Sequence, residues 1–182
     1  MQHHTDQELL DMYKNEDSRN MSVHYMIKKY QQQLYWHIRK IVIDHDDTDD
    51  VLQNTFIKAW KGMGNFKEES KLYTWLYRIA TNESITFLRQ RKRSNSTSFD
   101  TVEEYLSSTL ESDSFFKGDE IQMKLQKAIL TLPEKQRIVF NMRYYDETPY
   151  DEMSEILETS AGALKASYHI AAKKIEEHLL SH

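Results

Sequence analysis

Apolar residues return at helical spacing along most of the chain, three and four apart, which places them on one face of an α-helix. Leu9, Leu10 and Tyr13 predict a short helix, and Met26, Tyr30, Leu34, Ile38, Ile41 and Val42 a long one. A third stripe takes Val51, Leu52, Thr55, Phe56, Ala59, Trp60 and Met63 and ends at Gly62 and Gly64. The fourth begins near Lys71, with Leu72, Trp75, Leu76, Ile79, Phe87 and Leu88 inward. Farther on, Ile121, Leu125, Ala128, Ile129 and Leu132 predict a helix, Pro133 restarts the chain, and Ile138, Val139, Phe140 and Met142 predict the next. Thr148, Pro149 and Asp151 stand in capping order, so a helix is expected to start there and run to Leu157. Ser160 caps a last helix with Leu164, Tyr168, Ala171, Ile175 and Leu179 inward. Two capped helices so close together predict a helix-turn-helix; taken alone, an ordinary helical hairpin is the alternative.

Between Ser94 and about Lys117 the periodicity lapses, and Ser-Asn-Ser-Thr-Ser with scattered acids predicts a segment of low order. The expected fold is therefore all-α: two small helical domains, residues 1–93 and 119–182, joined by a flexible acidic linker at 94–118, the second domain being the helix-turn-helix. Only 4 glycines and 2 prolines interrupt 182 residues, which leaves little room for strands and turns. The absence of cysteine excludes disulfides and thiolate zinc sites. No run approaches the roughly 18 apolar residues of a membrane span, and the polar start Met1 to Glu8 is no signal peptide. A cytoplasmic protein without membrane insertion is expected.

A net charge of −5 argues against nucleic acid until its distribution is followed. Lys71, Arg78, Arg89, Arg91, Lys92 and Arg93 face only Glu83 within residues 71–93, whereas the acids crowd into 100–120. Tyr73, Trp75 and Tyr77 lie among those cations, and flat rings stack on unpaired bases while cations hold phosphates. With Leu72, Leu76 and Ile79 inward, Tyr73, Tyr77, Thr81 and Asn82 are expected outward and Trp75 in the core. In the last helix Ala161, Ala163, Lys165, Ala166, Ser167, Lys173 and Lys174 are expected outward, small enough to let the helix approach a major groove. So few basic side chains make a weak reader that needs a second surface.

Asp46 to Asp50 holds a DDxxD string of the kind that binds Mg²⁺ in some helical enzymes. It finds no second acidic cluster, and as a calcium loop it fails, with Asp49 where glycine is required and Thr55 where glutamate is. Asp47 is expected to cap the third helix, its neighbours favouring the positive helix end. Eight histidines supply no ligand pair. No metal, no cofactor and no enzymatic activity are expected.

Read together and in order, these motifs resemble the extracytoplasmic-function (ECF) sigma factors of bacterial RNA polymerase. Asp47 to Trp60 looks like the helix that grips the clamp of core polymerase, which implies contacts by Asp50, Leu52, Gln53 and Phe56. Asn65-Phe66 and the stretch Leu72 to Arg93 look like the loop and helix that read and melt the minus-ten element. The resemblance places Asn65, Phe66, Lys71, Tyr73, Tyr77, Arg78, Asn82, Arg89, Arg91 and Arg93 near that DNA. Leu132 to Phe140 and the paired helices from Tyr150 to Ile175 resemble the domain that reads the minus-thirty-five element, implicating Ser160, Ala163, Lys165, Ser167, His169 and Lys173. Ser167, Ile170 and Ala172 stand where many relatives carry arginine, and Asn54 where a glutamate is frequent. The partners implied are core polymerase and promoter DNA, with room for an anti-sigma factor.

Overall fold

The computed structural model describes residues 4–94, 102–113 and 120–181, and among them every regular element is a helix. Nine α-helices follow one another there: α1 (Asp6–Lys14), α2 (Arg19–Val42), α3 (His45–Gly62), α4 (Leu72–Ser94), α5 (Val102–Ser112), α6 (Glu120–Leu130), α7 (Glu134–Tyr144), α8 (Tyr150–Leu157) and α9 (Ala161–Ser181), with a 3₁₀ turn at Met63–Asn65.

Helix α2 is the mast of the N-terminal half, with α1, α3 and α4 packed around it and α3 also against α4. Its stripe of Met26, Leu34, Ile38 and Ile41 is fully enclosed, together with Leu9, Val51, Leu72 and Leu76 from its neighbours. Burying each such leucine contributes about 1.5–3 kcal/mol, which is what holds helices of modest intrinsic propensity in place. In the C-terminal half α9 packs across α6, α7 and α8. Ala128, Ile129, Leu132, Phe140, Ala171 and Ile175 form a small core there. A larger buried cluster is continuous between the halves, running from Leu9 through Leu76 to Met153, Ile156 and Leu164.

Several local expectations are corrected. Residues 94–117 are not uniformly without order, because α5 occupies 102–112 and buries Tyr105, Leu106 and Leu110; residues 95–101 and 114–119 lie outside the described residues. Helix α3 is capped by Asp44, whose Oδ1 accepts from the Asp47 N–H at 2.9 Å. Asp47 is released for a tertiary role: its carboxylate takes both bonds from Arg91 Nη1, at 2.8 and 2.7 Å, and one from the Tyr105 hydroxyl at 2.5 Å. Helix α8 starts one residue later than expected, with Pro149 at the cap position and Thr148 buried instead of capping. Ser160 does cap α9, accepting from the Ala163 N–H at 3.3 Å. The turn before it is made by Glu158 in the left-handed conformation, φ 52° and ψ 42°.

Candidate nucleic-acid interface

Helix α4 presents two kinds of surface. Leu72, Thr74, Leu76, Ala80, Ser84 and Leu88 point into the N-terminal core, and the hydroxyls of Thr81 and Ser84 are satisfied by carbonyls one turn back, at 2.8 Å each. Opposite lie Lys71, Arg78, Asn82 and Arg89, with Lys71, Asn82 and Arg89 exposed. Trp75 is half-buried, tilted against Phe66 with ring centroids 5.0 Å apart. A Cβ on Gly62 would come within 3.2 Å of its ring, so this close approach uses the missing side chain. Beside Trp75 opens a cleft of about 580 Å³ lined by Asn65, Phe66, Lys67, Glu69, Ser70, Arg78 and Glu155. Lys67 and Ser70 were not foreseen; they belong to a loop that carries no periodic pattern.

Tyr73 and Tyr77 depart from their expected outward setting. Tyr73 is half-buried and Tyr77 only 4% exposed, the two rings lying 4.2 Å apart. Burial pushes both phenols above their ordinary pKa, so they remain neutral. Thr81 is buried too, 2.8 Å from His37 Nε2. Behind His37 stands Asp146 from the far end of α7, 3.7 Å from Nδ1 and also paired with Lys40. Burial lowers the imidazole pKa, opposed by the negative charge of the nearby Asp146 carboxylate. For Asp146, burial alone acts upward, but His37 and Lys40 together hold the carboxyl below its usual value. Arg89 reaches toward Glu134 at 3.5 Å and Arg91 is committed to Asp47; the side chain of Arg93 lies outside the described residues.

On α3, Asp50 and Gln53 are exposed and Leu52 half-buried. Phe56 is a core residue, 8% exposed, and Trp60 is the outward one at 50%, with Ile57 beside it at 40%. The expected roles of Phe56 and Trp60 on the helix are therefore exchanged. Ser160 at the cap of α9 and Ala163, Lys165, Ala166, His169 and Lys173 along it are exposed and Ser167 is half-buried, while Ile170 adds an unforeseen member to the same outer face. The Lys165 ammonium sits 5.7 Å from the Tyr150 ring centroid, which aims it along the turn between the two helices. Among the described residues no cluster of three or more His, Asp or Glu side chains can hold a metal ion, and no helix is long and apolar enough to cross a membrane.

A helix-turn-helix with a small-residue outer face, coupled to a helix whose cations flank a polar, aromatic-walled cleft, defines a helical nucleic-acid-binding factor with two separate reading surfaces. Comparison with known proteins makes the class specific. The Sigma-70 region 2 model matches residues 26–94 and the Sigma-70 region 4 model residues 122–175. The chain belongs to the sigma-70 family and carries these two regions in order, as an ECF-type factor. It is 29% identical to the RNA polymerase sigma-H factor of Pseudomonas aeruginosa over 96% of this chain and 93% of that one. With the ECF RNA polymerase sigma-E factor of Escherichia coli the identity is 27%, over 94% and 93%. Among solved structures, CnrH in complex with the cytosolic domain of CnrY shares the fold at a TM-score of 0.70, 19% identity and 97% coverage of both chains. The sigma factor RpoE in complex with the anti-sigma factor NepR from Bartonella quintana does so at 0.66, 22% identity and coverage of 85% and 94%.

Proposed function

We propose that this sigma factor divides its labour among three surfaces: α3 on core RNA polymerase, the α4 face with its cleft on the unpaired minus-ten strand, and α9 on the minus-thirty-five duplex. Matches to both regions support the overall function, promoter recognition and opening with core polymerase rather than catalysis. The single observation that carries the assignment of surfaces is the cleft beside Trp75, where aromatic walls, Asn65 and the guanidinium of Arg78 meet at the edge of a basic helix. Such a site suits a base taken out of its stack, because rings accept its flat face and amide and cationic donors its edge and phosphate. Asn82 and Arg89 extend the same exposed face along the strand, while the buried Tyr77 and the Arg91 paired with Asp47 support the helix from within. On α3, Asp50, Leu52 and Gln53 are joined by Ile57 and Trp60 as the polymerase face, and Phe56 supports it from inside. On α9, Ala163 and Ala166 let the helix enter the groove while Lys165, His169 and Lys173 reach bases and phosphates, Ser160 and Ser167 flanking them.

Residues 1–93 and 119–182 serve as the two modules, with 94–118 between them. The factor acts in the cytoplasm, where its polymerase is, and a protein of the anti-sigma class, as held by the RpoE relative, is a further partner. A reconstituted run-off assay tests the division. Asn65→Ala with Arg78→Ala should lower promoter opening at least about tenfold while binding to core polymerase stays near wild type. Equal loss of both would refute it.

A further inference from the structure

The loop that closes the cleft beside Trp75 contains a residue in a conformation that its own side chain disfavours. Glu68, between the cleft-lining Lys67 and Glu69, has φ 56°. This is the left-handed region, which a Cβ disfavours roughly tenfold in population and which glycine enters freely. The bend there brings Lys67 on one side of Glu68, and Glu69 and Ser70 on the other, to the same cleft. The Glu68 carboxylate goes instead to α1, where Lys14 Nζ donates to its Oε1 at 2.9 Å. One residue earlier the Tyr13 hydroxyl donates to the Trp60 carbonyl at 3.4 Å, near the end of α3. The last turn of α1 thus spans the chain from the outward end of α3 to the cleft loop, although α1 precedes the residues 26–94 matched as region 2.

We infer that Lys14 and Glu68 are positioning residues for the minus-ten strand: their ion pair holds the cleft loop in a bend that its backbone alone would leave, so α1 serves base capture from behind the loop. The inference rests on the reading of the cleft as the seat of an unstacked base. Both side chains are partly exposed, and a pair of this kind shifts a population by up to about fivefold. That offsets much of the backbone penalty at Glu68. Affinity for the strand then scales with the fraction of molecules whose loop is in place.

Binding of a fork with an unpaired minus-ten strand to the holoenzyme, read by fluorescence anisotropy at saturating core polymerase, tests the pair. Glu68→Ala removes the carboxylate but keeps the Cβ, and affinity should fall about threefold. Glu68→Gly removes the same charge together with the backbone penalty, and should restore the lost affinity. Lys14→Gln should match Glu68→Ala, and added to Glu68→Gly it should have no further effect. No loss in Glu68→Ala, equal losses in the alanine and glycine variants, or an undiminished effect of Lys14→Gln beside Glu68→Gly would each overturn the positioning role. Forks with an abasic site at each minus-ten position in turn give the second readout. At the captured position the wild type and Glu68→Ala should bind alike, because the cleft has no base to hold. A difference that persists at every position would refute a role in base capture. A wild type indifferent to every abasic site would instead overturn the reading of the cleft, and this inference with it.

Discussion

Asp47 joins three helices, so Asp47→Ala isolates one tertiary bond set. Its carboxylate accepts two bonds from Arg91 and one from Tyr105, and it is itself 14% exposed. Arg91 remains about one-third exposed and regains water when the carboxylate goes, so its share is discounted to about 0.5–1 kcal/mol. Tyr105 is buried and loses its closest acceptor, which costs about 1–2 kcal/mol. The total is about 2 kcal/mol, within roughly 1.5–3, and corresponds to a melting-temperature drop of about 4–8 °C for a chain of this size. Urea unfolding followed by far-UV circular dichroism measures it, and a cycle with Arg91→Ala should return a coupling near 1 kcal/mol. A loss under about 0.5 kcal/mol, or strict additivity in the cycle, would mean that the carboxylate does not organise the junction of α3, α4 and α5.

Leu106→Ala should cost about 2–4 kcal/mol in the same urea assay, because Leu106 is fully enclosed; a change near zero would place α5 outside the folded unit. The buried, neutral His37 gives a pH dependence. Its lowered pKa means that the stabilisation is complete above the unfolded value near 6.5 and is lost as pH falls toward the folded one, while the Asp146 carboxylate beside it stays ionised. Urea midpoints from about pH 8 to 5 should therefore fall more steeply for wild type than for His37→Gln, and parallel curves would contradict the assignment. Trp60→Ala with Ile57→Ala should change stability by less than about 1 kcal/mol yet weaken co-purification with core polymerase at least tenfold, to about a tenth; undiminished recovery would move the polymerase surface elsewhere.

Much of this architecture is written in local spacing. Leu72, Leu76 and Ala80 recur one turn apart and are buried as that spacing requires, and the pairing of α8 with α9 follows from their punctuation. Misreadings arise where an inward face is decided by something distant. Tyr77 and Thr81 fall outside the narrow stripe of Leu72, Leu76 and Ile79, yet both pack on His37 of α2, remote from them in sequence. Trp60 lies at the edge of a broad stripe, where periodicity does not choose between it and Phe56 one turn earlier. Asp47 looks like a cap until Arg91 and Tyr105, remote in sequence, are brought against it. Helix α5 did leave a signal, since Tyr105, Leu106, Thr109 and Leu110 share one face; the surrounding serines and acids obscured it. The separation of Lys67 and Ser70 from any pattern is why the cleft itself was not legible.

The folded stretch between the halves also stores length. Wound as α5, its 11 residues span about 16 Å, and drawn out they would span about 36 Å. Held in by Tyr105, Leu106 and Leu110, that reserve of about 20 Å is released only when those three side chains leave their seats. The tether is thus a spool with a latch, and how far apart the two reading heads can travel is set by whether it has been paid out.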